Sequence, residues 1–341
     1  MIPFTRALGF GPLPALLERR AGSKALQRSF EAEGLPLTLL DSPRTLLPLS
    51  AMTGVFERAA RQAGERTFGL DVGEAMTHRG FGLWVDYALA GDTLAEGLER
   101  LGRSVVAHQS FCGLELTEAG GARVWRYRSP ALGIDRRQHS DHILLPMLHF
   151  VRHYLGSGWK PRWVELNYAR DPEADRLEAR LALPLRFGRP GIGLALSAGE
   201  LRAANPRRPR GAVRILTLRD VFADSVLGDA PEPARSLAAI VTLRLLEGRT
   251  DIEGAAALAG LGVQGLQRRL RHTGLTYREV VRRARRARAE SLLLETRMTV
   301  TEVALSLGYS DHANFTRAFH DWSGTSPSAF RRHRRDGAPT G

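Results

Sequence analysis

Apolar and polar positions change rhythm along the chain. Residues 15–31, 50–63, 83–89 and 94–110 place apolar side chains three and four apart, so each predicts a helix with one buried face. Asp92 or Thr93 can cap the last of these, with Glu96 in its first turn. Residues 113–117 and 123–128 then alternate, and Glu118-Ala119-Gly120-Gly121 between them is a hairpin signal. Residues 163–168, entered through Pro161, and residues 181–187 and 192–196 are further strand candidates, while 138–155 predicts another helix. Helices around one small antiparallel sheet make an α+β domain.

Punctuation follows. Asn205-Pro206-Arg207-Arg208-Pro209-Arg210-Gly211 and Gly228-Asp229-Ala230-Pro231-Glu232-Pro233 carry loop chemistry, because Pro and Gly interrupt regular hydrogen bonding. Between them residues 212–227 repeat Val213, Leu216, Val221 and Leu227 at helical spacing, a connector or dimerisation helix. From about residue 233 the pattern is helix after helix. The expected organisation is an α+β domain over 1–205, a linker with connector helix over 206–233, an all-α domain over 234–335 and a flexible tail over 336–341.

The all-α region contains an internal repeat. Ala256-Ala257-Leu258-Ala259-Gly260 recurs in kind as Ala304-Leu305-Ser306-Leu307-Gly308. Each is followed by an apolar residue, Leu261 or Tyr309. Second helices then carry Leu266-Gln267-Arg268-Arg269-Leu270 and Phe315-Thr316-Arg317-Ala318-Phe319. Small residues let two helices cross closely, and glycine supplies the positive φ of the turn. Leu266 and Leu270, like Phe315 and Phe319, lie four apart and face inward. Gln267, Arg268, Thr316 and Arg317 lie off that stripe, free to enter a major groove. Residues 277–295, without Gly or Pro, read as one rigid helix joining the units. Arg282, Arg283, Arg285, Arg286 and Arg288 lie along it. Two double-stranded-DNA readers on one face of B-DNA would stand about 34 Å apart.

Charge agrees with this reading. The net charge is +13, and residues 236–335 hold 17 arginines against 9 acidic residues. A basic excess of that size attracts polyanions. An arginine-rich solvated surface would give the same bulk number, and Lys24 and Lys160 are the only lysines. The single cysteine, Cys112, excludes a disulfide within the chain and a thiolate zinc cluster.

The C-terminal hundred residues resemble the AraC/XylS-type regulators. The second unit carries Val300-Thr301-Glu302-Val303-Ala304, Leu307-Gly308-Tyr309-Ser310-Asp311, Asn314-Phe315-Thr316-Arg317-Ala318-Phe319 and Gly324-Thr325-Ser326-Pro327-Ser328-Ala329-Phe330-Arg331. Arg285, Ala289 and Leu293 match along the joining helix. The resemblance implies a double helix-turn-helix domain defined by Ala256, Gly260, Leu266, Arg285, Ala289, Ala304, Gly308, Phe315, Phe319 and Pro327. It implies base readers Gln264, Gln267 and Arg268 in the first unit and His312, Ala313 and Arg317 in the second. Asn314 and Thr316 are implied as phosphate or neighbouring contacts. The first unit departs from the pattern: Gly262 stands where Ser is usual, and Gly265 falls inside the reading helix. Its readout is therefore expected to be weaker, whereas Ser310 is expected to cap the second reading helix.

The N-terminal region resembles the arabinose-binding domain that precedes this module in one subgroup. The match lies in Phe68-Gly69-Leu70, Gly80-Phe81-Gly82, Asp92-Thr93-Leu94-Ala95-Glu96, Pro161, Trp163-Val164-Glu165-Leu166 and Ala203-Ala204-Asn205-Pro206. The resemblance implies effector sensing, dimerisation or both, so a small-molecule effector, a second copy of the chain and RNA polymerase are the expected partners besides DNA. The alternative is a constitutive DNA-binding protein whose N-terminal domain only dimerises. His142, His149 and His153 share a face of the 138–155 helix and are candidate effector-pocket residues, with His139 beside them. The i, i+4 pair His149 and His153 lacks a Cys or carboxylate partner, so no metal is expected.

No phosphate loop or dinucleotide fingerprint occurs, and Gly156-Ser157-Gly158 is not a nucleophile elbow. No cofactor or catalytic residue is assigned, and no enzymatic activity is expected. No run approaches the length of a membrane helix, and the N-terminus lacks a signal-peptide pattern, so a cytoplasmic address is expected.

Overall fold

The computed structural model describes residues 2–76, 78–207, 216–218, 221 and 234–336. They divide into two compact units. The predicted connector over 212–227 and the tail lie outside the described residues, apart from Leu216, Thr217, Leu218, Val221 and Asp336.

One unit comprises Pro3–Leu35 and the described residues from 49 to 221. Strand β1 (Phe4–Arg6) is followed by α1 (Leu13–Ala21) and α2 (Ser23–Glu31). The single helix expected over 15–31 is split because Gly22 sits at φ 82°, a left-handed conformation that ends one helix and turns the chain into the next. Helices α3 (Leu49–Ala63), α4 (Phe68–Ala75), α5 (Leu83–Leu89) and α6 (Leu94–Ser104) follow. The side chain of Thr93 caps α6 by accepting from the Glu96 amide. This helix stops at Ser104, short of the expected 110. There the Ser104 hydroxyl donates to Arg100 O (2.8 Å), and the β-branched pair Val105-Val106 continues as a 3-10 turn.

The sheet contains β3 (Gly113–Ala119), β4 (Ala122–Arg128), β5 (Val164–Glu165), β6 (Leu185–Arg186) and β7 (Ile192–Leu196), in the order β3-β4-β7-β5-β6. All pairs are antiparallel except β5 with β6, which run parallel at the edge. The hairpin turns at Gly120 and Gly121, both at positive φ. Two expected strands shrink. Residues 163–168 pair only at Val164 and Glu165. Residues 181–187 begin with the end of helix α8 (Ala174–Leu181), closed by Ala182 at φ 50°. In register, Gly193 lies opposite both Arg126 and Glu165, and its missing side chain leaves room for the buried Arg126–Glu165 pair (2.6 Å).

Helix α7 (Arg137–Leu155) packs Leu144, Leu148 and Val151 into the same core as Trp125, Ile192 and Leu194 of the sheet. It also lies hard against α4. A Cβ at Gly69 would overlap the Gln138 carbonyl, and one at Gly73 would overlap the His142 carbonyl. Beside this crossing Arg66 pairs with Asp141 and Asp171 (both 2.7 Å), all three nearly inaccessible to solvent.

The other unit comprises Pro36–Pro48 and the described residues from 234 onward. Here the stretch containing a 3-10 turn (Leu37–Asp41) and strand β2 (Leu46–Pro48) packs on α9 (Ala234–Arg244), with Leu39 and Leu47 fully buried. The remaining helices are α10 (Ile252–Leu258), α11 (Val263–Arg271), α12 (Tyr277–Glu295), α13 (Val300–Ser306), α14 (His312–Ser323) and α15 (Pro327–Asp336). Among the described residues no helix is long and apolar enough to cross a membrane.

Candidate nucleic-acid interface and buried cavity

The repeat folds as two helix-turn-helix units, α10–α11 and α13–α14. In the first, Asp251 caps α10 by accepting from the Gly254 amide (2.9 Å), and Arg244 holds its other oxygen (2.7 Å). The Arg244 hydrogen bond draws the Asp251 carboxyl down to about 2. Ala256 is buried, Gly260 turns at φ 62°, and Leu266 and Leu270 anchor α11. Its N-cap, Gly262, offers no side-chain hydrogen bond. Gln264, Gln267 and Arg268 all point to solvent.

The second unit is tied down more tightly. Thr299 and Glu302 form a reciprocal capping box at the start of α13. Ala304 is buried, and Gly308, at φ 75°, passes so close to Gly248 that a Cβ would overlap its carbonyl oxygen. Phe315 and Phe319 are fully buried, and Tyr309, Trp322 and Phe330 close around them with ring centroids 5.3–6.3 Å apart. The cap of α14 is Asp311, not the expected Ser310. Asp311 Oδ1 accepts from the Asn314 amide (2.7 Å), while the Ser310 hydroxyl only donates to Asp311 Oδ2. Those hydrogen bonds, led by the Asn314 amide, hold the Asp311 carboxyl below its usual range.

His312, Ala313, Asn314 and Arg317 are exposed on α14, and Thr316 is half-buried. A polar chain runs along this face. Asn314 Nδ2 donates to Asp311 Oδ2 (2.5 Å), and Arg317 Nη2 donates to Asn314 Oδ1 (2.6 Å). Asn314 thus aims the guanidinium, a role the i, i+3 spacing of Asn314 and Arg317 could have suggested.

Helix α12 begins with its own capping box, Thr276 with Glu279, and buries Ala289 and Leu293. Its Arg285 is a tie: Nε donates to Leu307 O (3.0 Å), Nη2 reaches Thr250 Oγ1 (3.3 Å), and the guanidinium lies 4.6 Å from the Tyr309 ring centre. Pro327 begins α15, whose Arg331 donates to Leu293 O and Met298 O. Arg331 therefore satisfies carbonyls around the end of α12, a task that no local sequence pattern announces.

The α+β unit encloses a cavity between α3, α5, α6, α7, β3 and β4. The space among its lining atoms is about 700 Å³, including what opens to solvent, and about 90 Å³ of it admits the centre of a water-sized sphere. Of the three candidate histidines only His142 lines it. His149 is half-buried with a hydrogen bond to the Met76 backbone, and His153 Nε2 lies 3.3 Å from Asn205 Oδ1. His139 lines the cavity, as does His108, which lies far from α7 in sequence. Burial pushes His108 down to about 3 and His142 to about 4, so both are neutral imidazoles. Among the described residues no group of His, Cys, Asp or Glu is arranged to hold a metal ion.

Residues 25–205 match the family described as the arabinose-binding domain of AraC transcription regulator, N-terminal, and residues 255–333 match a helix-turn-helix domain family. Among curated relatives, the regulator VirS of Mycobacterium tuberculosis is 24% identical over 336 residues, covering 96% of this chain and 92% of its own. The ornithine utilization regulator of Pseudomonas aeruginosa is 38% identical over 81 residues, and that match spans 24% of either chain. VqsM of the same organism is 44% identical over 66 residues, 19% of this chain and 20% of its own length. Among solved structures, the transcriptional regulator CdpR from Pseudomonas aeruginosa covers 90% of this chain and 98% of its own at 20% identity and a TM-score of 0.41. The AdpA DNA-binding domain, solved with a target DNA, covers 31% of this chain and 97% of its own at 30% identity and a TM-score of 0.27. With an arabinose-binding-type domain over more than half its length and the double helix-turn-helix behind it, the chain belongs to the AraC family of DNA-binding transcription regulators.

Proposed function

We propose that this regulator is effector-responsive and that α11 and α14 read two successive major grooves of one DNA face. The observation that carries the reading is the shared exposure of Gln264, Gln267 and Arg268 on one reading helix and His312, Ala313 and Arg317 on the other, each opposite a buried anchor pair. Gln pairs bidentately with adenine and Arg with guanine, which makes these faces suited to base edges. Arg285 is spent on carbonyls and a tyrosine ring, so it acts on DNA only by holding the two units in register.

Effector response rests on the cavity in the α+β unit. A ligand that fits one arrangement of the regulator better than another shifts the population toward it. Two chains pair in this reading, so that four reading helices meet a repeated site.

Selection of genomic fragments by the purified full-length protein tests the DNA claim. Two sub-sites about one helical turn apart are expected. A single short sub-site would remove α11 from the readout.

A further inference from the structure

The cavity carries more information than its existence. None of its lining residues is Asp, Glu, Lys or Arg. Most are apolar: Phe81, Trp84, Ile143, Met147 and Phe150 are examples. Yet three buried polar atoms in this lining have no hydrogen-bond partner among the described residues: Trp125 Nε1, His142 Nε2 and His108 Nδ1. Buried polar groups are nearly always satisfied, and three orphans around one cavity point at a common missing partner.

Their chemistry can be assigned. The indole N–H of Trp125 can only donate. His142 Nδ1 lies 3.3 Å from the His139 carbonyl, which can only accept, so this neutral ring carries its proton there and presents Nε2 as a bare acceptor. Neutral His108 presents Nδ1 as donor or acceptor according to its tautomer. Other polar side chains of the lining are engaged with the protein: Trp84 Nε1 donates to Phe81 O (2.9 Å), and Gln109 Nε2 donates to the Tyr127 hydroxyl (2.5 Å).

We infer that the cavity binds a compact, uncharged, largely apolar molecule that carries both a hydrogen-bond acceptor and a donor, of the kind an aromatic amide or phenolic alcohol presents. This rests on the reading of the α+β unit as an effector sensor and narrows its ligand. A cation would be buried without a counter-charge, an anion would find Arg6 and Arg136 only behind His108 and His139 and not in the lining, and a sugar would bring more hydroxyls than the unpaired lining atoms can satisfy. An apolar cavity of about 150 Å³ in another protein takes up benzene; the about 90 Å³ here is smaller, so a single ring is the upper limit of size and enters only as the flexible Met52 and Met147 give way around it.

The test uses full-length protein, with binding read by calorimetry and thermal shift. The probes are benzamide, benzene, benzoate, benzylamine and L-arabinose. Benzamide should raise the melting temperature and bind at least tenfold tighter than benzene, with no binding by the two ions or the sugar. Trp125→Phe removes the donor but keeps a ring. It should weaken benzamide at least tenfold and leave benzene unchanged, which also shows that the cavity is intact. Val85→Phe, which fills the space, should abolish both and stands in if Trp125→Phe does not fold. The inference is overturned if benzamide binds no better than benzene, if no aromatic probe binds, or if benzoate, benzylamine or arabinose binds in a Trp125-dependent way. Bound benzamide that leaves affinity for the selected DNA site unchanged would instead count against the effector reading alone.

Discussion

Two copies of one helix-turn-helix pattern are held together here by different means. Helix α11 enters from Gly262 with no side-chain cap, contains Gly265, and is anchored by two leucines. Helix α14 enters from Asp311 and is anchored by two phenylalanines inside a five-ring aromatic cluster. The turn glycines differ as well, since a Cβ at Gly260 would meet nothing within 4 Å, whereas one at Gly308 would strike Gly248. The same chain path can thus be specified either by close packing or by little more than two anchors and a permissive turn. Reading-face polarity is independent of that choice.

The largest test of this contrast lies in the cores. Phe319→Ala should destabilise its unit by about 3–5 kcal/mol, more than Leu270→Ala in the other, both read by urea unfolding of the full chain. Equal losses would break the comparison. Next come the turns. Gly260→Ala should show only the left-handed penalty of about 1–2 kcal/mol, and Gly308→Ala should exceed it because backbone must move. On DNA, Arg317→Ala should lose about 1–3 kcal/mol on the selected site and relax one position, measured by titration against single-base variants. Asn314→Ala should weaken the same position less, by releasing the guanidinium it aims. A smaller effect runs the other way: Gly265→Ala, with open space at its Cβ, should stabilise α11 by up to about 1 kcal/mol.

Acid separates α11 and α14 further. Hydrogen bonds hold the Asp311 and Glu302 carboxyls below their usual range, the Asn314 and Thr299 amides contributing most. A depressed folded value means the caps stabilise fully above the unfolded carboxylate value near pH 4 and are lost as pH falls through the folded one. Hydrogen-exchange protection at the Asn314 amide, corrected for intrinsic rates, should therefore fall below about pH 4. The first turn of α11, which has no carboxylate cap, should keep its protection.

The repeat was legible because local spacing encodes it: alanines, turn glycine and anchor pairs recur at fixed offsets. Adjacent polar residues compete for one cap, so spacing alone could not choose Asp311 over Ser310. The break at Gly22 was missed because apolar spacing carries across it, and α8 because its residues also fit a loop leading into a strand. Helical spacing places His142, His149 and His153 on one face, but depth depends on what packs there, and only His142 meets the cavity. His108 and Trp125 join it from other elements, a convergence set by tertiary packing alone.

The discontinuous make-up of the helix-turn-helix unit has a consequence in time. Residues Pro36–Pro48 leave the ribosome early, while α9 follows roughly 190 residues later, a delay of about 10–40 s at typical synthesis rates. Throughout that interval the helix on which Leu46–Pro48 packs is still missing. The nascent α+β unit therefore carries an apolar stretch whose packing against α9 must wait until residue 244 is made, and a fragment begun after that stretch leaves α9 bare on the side where it packs.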